Sequence, residues 1–340
     1  MPPLQTRGSS TGLRAKIREI GKLGQYTIEE KIGEGGMGVV YRATHAMLRR
    51  PAAIKLLSKD RASAHDQARF EREVQLTSRL AHPNTVSIFD YGRTSDGVFY
   101  YMMEYLDGLN LDQLVKQAGP LDPARAIHIL AQVCGALGEA HAHALVHRDI
   151  KPANIVLTQR IDEPDVVKVV DFGLARTLTK NEGDSRTDTI TGTPMYLSPE
   201  AISAPETLDG RADIYALGAV AYFLLAGSDV FEGQTVVELL GRHMLEEPKA
   251  PSIRLGKALP VDLEGIVLKC LAKERDARFP SVESLLAALL ACQDASRYDR
   301  AAAFDWWRDR GAKPGADARH SVPGPSTTMA IDLRDRNGAG

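Results

Sequence analysis

The stretch His147-Arg148-Asp149-Ile150-Lys151-Pro152-Ala153-Asn154 constrains this chain more than any other. It sets an acid, a base and an amide on one turn, stiffened by a proline, between the apolar runs Ala144-Leu145-Val146 and Ile155-Val156-Leu157. Asp171-Phe172-Gly173 follows a short way on. The two segments point to a single reaction centre, and the rest of the chain has to supply what that centre needs.

Composition narrows the classes. A chain of 340 residues holds one large or two smaller domains, and 44% apolar with 25% charged residues is ordinary globular usage. The net charge of −2 provides no field toward nucleic acid or an anionic surface, so no nucleic-acid partner is expected. Cys134, Cys270 and Cys292 lack metal-ligand spacing and read as reduced, packed thiols of a cytoplasmic protein. The most apolar run, Ile214 to Ala226, abuts Asp213 and falls short of the roughly 20 residues that span a bilayer. It reads as a buried core helix, and no transmembrane helix is expected. The first 25 residues lack the apolar core of a signal peptide.

Residues 1–25 read as a flexible basic leader: Leu13, Ile17, Ile20 and Leu23 fall at helical spacing among arginines and lysines but bury too little to anchor the chain. From Tyr26, short apolar segments broken by glycine and an Arg-Arg-Pro turn predict an antiparallel meander through Leu57. Residues 66–80 turn helical, with Phe70, Val74, Thr77 and Leu80 on one face, until His82-Pro83-Asn84 breaks the period. Strands at Val86–Tyr91 and Val98–Tyr105 follow. Beyond Gly108 helices dominate, at Asn110–Gln117, Pro123–Ala144 and near 213–226, 235–245, 261–272 and 281–292. The fold class is α+β: a small antiparallel-sheet lobe (26–107) with one main helix, and a larger, mostly helical lobe (108–292), with a cleft between. Order is expected to fade after residue 293, so that 293–340, including Phe304-Asp305-Trp306-Trp307, form a disordered tail.

Gly33-x-Gly35-x-x-Gly38-x-Val40, with Gly36 inside it, lets backbone N–H groups approach a polyphosphate with no Cβ in the way. The same pattern marks dinucleotide-binding units, but those need a helix directly after the last glycine, and Val39-Val40-Tyr41 continues as strand. Lys55, between Ile54 and Leu56, cannot be half-buried cheaply without a partner charge. Glu73, beside the apolar face of the 66–80 helix, is the candidate partner; Glu71 points more toward solvent.

In order and spacing these residues resemble a eukaryotic-like (Hanks-type) protein kinase: the glycine loop, Ala53-Ile54-Lys55, Phe70-x-x-Glu73, Met103-Glu104-Tyr105, His147 to Asn154, Asp171-Phe172-Gly173, Ser198-Pro199-Glu200 and Asp213-x-x-x-x-Gly218. The resemblance covers roughly 26–292 and looks most like the bacterial serine/threonine kinases. It implies the bilobal kinase fold and transfer of the γ-phosphate of ATP to Ser/Thr hydroxyls of protein substrates. Asp149 resembles the aspartate that orients the hydroxyl and accepts its proton, and Lys151 the lysine that neutralises the transferring phosphoryl. Lys55 would hold the α- and β-phosphates with Glu73 as its partner. Asn154 and Asp171 would hold Mg²⁺, with Mn²⁺ as the alternative. His147 and Phe172 look like packing residues that fix the loop. The resemblance seats adenine between Ile32, Val40 and Ala53 above and Val156 below, with Met103 as gatekeeper, the backbones of Glu104 and Leu106 reading the base edge, and Gly33, Gly35, Gly36 and Gly38 over the phosphates.

Between Asp171 and Glu200 the chain carries Thr187, Thr189 and Thr191 as candidate phosphorylation sites, with Arg148 poised to pair with a phosphate and a transient homodimer as the means of modification in trans. Thr193 resembles instead the threonine that bonds Asp149 and Lys151, and Glu200 is expected to pair with Arg278. The Asn154 to Asp171 spacing is longer than is typical of the family, with Arg160–Asp165 as the surplus turn. A pseudokinase scaffold is disfavoured because Lys55, Glu73, Asp149, Asn154 and Asp171 are all present. A small-molecule phosphotransferase is disfavoured by the Thr193 to Glu200 segment.

Overall fold

The computed structural model describes residues 21–35, 38–57, 64–95, 97–172, 189–312 and 329–332. The smaller lobe is a six-stranded antiparallel sheet: β1 (Lys22–Leu23), β2 (Tyr26–Gly35), β3 (Gly38–His45), β4 (Pro51–Leu57), β5 (Ile88–Arg93) and β6 (Phe99–Glu104), in the order β1-β2-β3-β4-β6-β5. Alternation sorts its side chains into two apolar layers. Ala53, Leu57, Phe99, Tyr101 and Met103 pack on one side with Ile32, Val74 and Val86. Ile54, Leu56, Val98 and Met102 pack on the other with Val39, Tyr41 and Ala43. Helix α1 (Ala64–Thr77) contributes Val74 to the first layer. The β2–β3 hairpin closes on Gly38, whose φ is +143° and whose Cβ, were there one, would lie 2.0 Å from the Leu56 carbonyl oxygen. That close approach explains glycine at the last position of the loop.

The larger lobe is built on two buried helices. α3 (Pro123–Ala142) follows the short helix α2 (Leu111–Ala118) and starts where Asp122 accepts a hydrogen bond from Ala124 N, with proline at the first helical position. It buries Ile127, Leu130, Val133, Cys134 and Leu137 in the lobe's main core. After the short helix α4 (Pro199–Ser203) comes α5 (Arg211–Ala226), buried along nearly its whole length, as its apolar run predicts for a core helix. Gly218 of α5 meets Cys270 of α8 (Val261–Cys270), where an added Cβ would sit 2.5 Å from the cysteine Cβ, so the helices cross at glycine distance. α6 (Val236–Leu245), α7 (Pro251–Leu255) and α9 (Val282–Leu290) complete the lobe. On the cleft side, β7 (Gly108–Asn110), β8 (Ile155–Thr158) and β9 (Val166–Val169) form a three-stranded sheet that carries the chain from Asn154 to Asp171. The 160–165 turn between β8 and β9 absorbs the long spacing without disturbing the pairing.

Order continues past residue 293, contrary to expectation. A 3-10 turn at Ala295–Arg297 leads to α10 (Arg300–Ala312), and Trp307 is buried in the large-lobe core. The physical reason is a fully buried carboxylate. Asp165 accepts hydrogen bonds from Arg125 Nε and Nη2 (2.8 Å each), Trp307 Nε1 (2.9 Å) and the Tyr298 hydroxyl (3.1 Å). Tyr298 stacks on His128 and Arg125 lies over the Trp306 ring. Strand β10 (Thr189–Gly192) pairs antiparallel with β11 (Met329–Asp332).

Candidate active site

The catalytic-loop candidates form one hydrogen-bonded cluster. Asp149, Lys151 and Asn154 are each buried to within 6% residual exposure. Asp149 Oδ2 lies 2.9 Å from Lys151 Nζ and accepts from Asn154 Nδ2 at 3.0 Å. Asn154 Nδ2 also donates to the Asp149 carbonyl at 2.8 Å, and Lys151 Nζ donates to Thr193 Oγ1 at 2.9 Å. Thr193 thus reaches the aspartate through the lysine. A cavity beside the cluster is lined by Arg148, Asp149, Thr193, Tyr196, Leu197 and Ser198.

The loop is held from below by Asp213. This carboxylate, 1% exposed, accepts from the backbone N–H of His147 and of Arg148 and contacts His141 Nε2, each at 2.8 Å. Burial alone would push Asp213 up, but its hydrogen bonds outweigh that, and it titrates below the ordinary carboxylate range. Arg148 sits at φ +66°, a strained conformation for a side-chain-bearing residue, and this anchoring sustains it. His147 is fully buried, with Nε2 3.0 Å from the Val170 carbonyl oxygen and its ring 4.6 Å from that of Phe172. Burial lowers its pKa, so it packs as a neutral ring.

Across the cleft, Lys55 is 5% exposed and donates to Asp171 Oδ2 at 2.7 Å. The partner expected from the sequence was Glu73; the one in the structure is Asp171, and Glu73 stands half-buried on α1. The reason is proximity: Asp171, at φ +62°, turns its carboxylate toward the small lobe, where the Tyr101 hydroxyl donates to Oδ1 at 2.6 Å. Burial raises the Asp171 pKa, but Lys55 and Tyr101 more than offset this and hold it low.

The other expected residues distribute as follows. Ile32, Ala53, Met103, Val40 and Leu106 share one apolar cluster at the cleft. Val156 lies half-buried on β8, on the opposite face from buried Ile155 and Leu157. Gly33 and Gly35 end β2 and Gly38 opens β3. Glu104 ends β6, its side chain 2.5 Å from Lys168 Nζ. Thr189 and Thr191 lie on β10. Gly36, Gly173 and Thr187 fall outside the described residues. Glu200 and Arg278 form the expected pair, doubly bonded at 2.7 and 2.8 Å.

Asn154 and Asp171 suit a hard cation. Both offer oxygen, and the Asn154 amide nitrogen is committed to Asp149, which turns its oxygen away from that carboxylate. Two protein oxygens with the remainder from phosphate and water is the coordination that Mg²⁺ accepts.

A glycine hairpin, a strand lysine and this loop in one cleft is an arrangement for phosphoryl transfer. The family model described as "Protein kinase domain" matches residues 26–290. The chain belongs to the protein kinase family. It is 38% identical over 279 residues to the serine/threonine-protein kinase pkn3 of Myxococcus xanthus, which covers 80% of this chain and 51% of the relative. It is 40% identical over 281 residues to the serine/threonine-protein kinase PknB of Mycolicibacterium smegmatis, covering 81% of this chain and 44% of the relative. The chain thus spans about half the length of the curated relatives it matches. Among solved structures, the PknI kinase domain of Mycobacterium tuberculosis superposes with a TM-score of 0.62 at 29% identity, covering 79% of this chain and 95% of that one. This is a protein kinase domain, similar in sequence to the bacterial serine/threonine-protein kinases named above.

Two residues of this kinase domain escaped sequence reasoning as functional. Asp213 was legible as a family position, and a carboxylate opening an apolar helix is a sign that it must be satisfied inside the core. Tyr101 left no such sign, because a tyrosine in an apolar strand reads as packing.

Proposed function

We propose that this chain is an ATP-dependent serine/threonine protein kinase acting in signal transduction. The observation that carries the reading is the cluster Asp149–Lys151–Asn154–Thr193 beside the Lys55–Asp171 ion pair, which joins the small lobe to the large one. Asp149 accepts the proton of a substrate hydroxyl entering from the cavity beside Thr193 and Ser198. Lys151, already 2.9 Å from Asp149, meets the charge that develops on the transferring phosphoryl. Lys55 holds the α- and β-phosphates once nucleotide draws it from Asp171. Mg²⁺, held by Asn154 and Asp171, supplies charge neutralisation for the polyphosphate, with Mn²⁺ as a substitute. The apolar cluster of Ile32, Val40, Ala53 and Met103 takes the adenine, with Val156 beneath and the Glu104 and Leu106 backbones at its edge.

Polypeptide hydroxyls are the substrate class, favoured by the Thr193–Glu200 segment, of which Thr193, Tyr196, Leu197 and Ser198 line the cavity. Thr187, Thr189 and Thr191 are the sites of modification in trans through a transient homodimer, with Arg148 as phosphate partner. Among the described residues no helix is long and apolar enough to cross a membrane, and three buried thiols agree with a reducing, cytoplasmic setting. The test is incorporation of label from γ-labelled ATP. Wild type is expected to phosphorylate itself and a Ser/Thr peptide, and Asp149→Asn to bind ATP yet stay silent. Wild-type incorporation by Asp149→Asn would end this reading.

A further inference from the structure

Tyr101 lies directly opposite Lys55 in the β4–β6 register, so the two side chains leave the sheet on the same face. Its ring is 1% exposed, packed in the layer that holds Phe99, Met103 and Val74. A buried tyrosine needs a partner for its hydroxyl, and Tyr101 finds Asp171 Oδ1 at 2.6 Å while Lys55 takes Oδ2 at 2.7 Å. Both oxygens of the candidate metal ligand are therefore engaged by the small lobe. Asn154, by contrast, is tied to Asp149 in the large lobe. A cation shared between Asn154 and Asp171 has to be taken up by a carboxylate whose two oxygens already accept hydrogen bonds from the small lobe. Lys55 has the phosphates to go to, whereas the Tyr101 hydroxyl, enclosed in the small-lobe core, is bonded to Asp171 itself.

We propose that Tyr101 is a latch on the metal aspartate: its hydroxyl holds Asp171 against the small lobe in the nucleotide-free cleft, and Mg²⁺-nucleotide binding competes with that bond. The inference rests on the proposed role of Asp171 as a metal ligand. The latch lowers the apparent metal affinity by the fraction of molecules in which it is open. One hydrogen bond to a charged group puts that factor at roughly ten- to a hundredfold.

Tyr101→Phe keeps the ring and removes only the hydroxyl. Calorimetric titration of Mg²⁺ into protein with saturating ADP is expected to show binding tightened by roughly ten- to a hundredfold, with ADP affinity in EDTA unchanged. The thermal midpoint in EDTA is expected to fall, because the apo state loses the bond. Weaker or unchanged Mg²⁺ affinity in Tyr101→Phe overturns the latch; weaker affinity would make the hydroxyl a support for the metal-bound aspartate. Asp171→Ala separates the two claims. If it binds Mg²⁺·ADP as wild type does, the metal-ligand reading itself fails. If it loses the Mg²⁺ dependence while Tyr101→Phe does not tighten, only the latch fails.

Discussion

The indole of Trp307 donates to a carboxylate that solvent does not reach, and removing that one donor has a calculable cost. Asp165 is 0% exposed and takes four hydrogen bonds, two of them from Arg125. Trp307→Phe retains an aromatic ring in the core and deletes the N–H, leaving the carboxylate with three donors. A hydrogen bond to a charged group is worth about 1.5–3 kcal/mol, and its loss leaves part of a buried charge without compensation. For a domain of this size each kcal/mol moves the thermal midpoint by roughly 2–4 °C, so the expected drop is on the order of 5 °C. Trp307→Ala adds a cavity and is expected to cost about 3–5 kcal/mol. The chain's only two tryptophans are Trp306 and Trp307, so intrinsic fluorescence reports on α10 alone while circular dichroism follows the whole domain. The two melting curves of the wild type are expected to coincide. Fluorescence that melts well before the dichroism, or a Trp307→Phe midpoint within 1 °C of wild type, would refute the docking of α10 through Asp165.

Two further outcomes follow from the geometry. Gly38→Ala forces a Cβ to 2.0 Å from the Leu56 carbonyl at a φ of +143°, so a strain of roughly 1–3 kcal/mol or more should appear as a raised KM for ATP with a lowered melting temperature. An unchanged KM would mean that the hairpin tolerates a side chain there. Burial pushes the Glu200 carboxyl up, but its hydrogen bonds from Arg278 prevail and hold it below its ordinary 4.5, so its stabilising share is complete above that pH and is lost as pH falls through the lower folded-state value. The stability gap between wild type and Glu200→Gln, measured by urea denaturation, is therefore expected to be constant from pH 8 to about 5 and to narrow below about 4; a gap that widens in acid would contradict the pairing.

Much of the fold was legible because its periods are strong. The strand alternation of Ala53, Lys55 and Leu57 against Ile54 and Leu56 sets one face on the cleft and the other on the outer layer. The apolar run after Asp213 could only be a buried helix, and it is one. Helix and strand ends moved by a residue or two, as with Ile88–Arg93 for the expected Val86–Tyr91, because hydrogen-bond register rather than composition terminates a strand. The tail was misread for a different reason. Its Pro, Gly and Ser residues concentrate after residue 312, whereas Tyr298, Trp306 and Trp307 precede them and complete a site on Asp165 that local pattern does not reveal.

Sequence alone determined which chemical groups are present and the order in which the chain offers them: the loop from His147 to Asn154, Lys55, Asp171 and the glycine hairpin are local strings whose residue types suit one chemistry. Tertiary structure decided who holds whom. Lys55 finds Asp171 where Glu73 was expected, Tyr101 shares that carboxylate from the neighbouring strand, and Asp213 and Asp165 tie loops to helices far away in sequence. A buried charge must take its partners from whatever the fold brings within hydrogen-bonding distance, and in a two-lobed cleft those partners come from opposite sides of the chain.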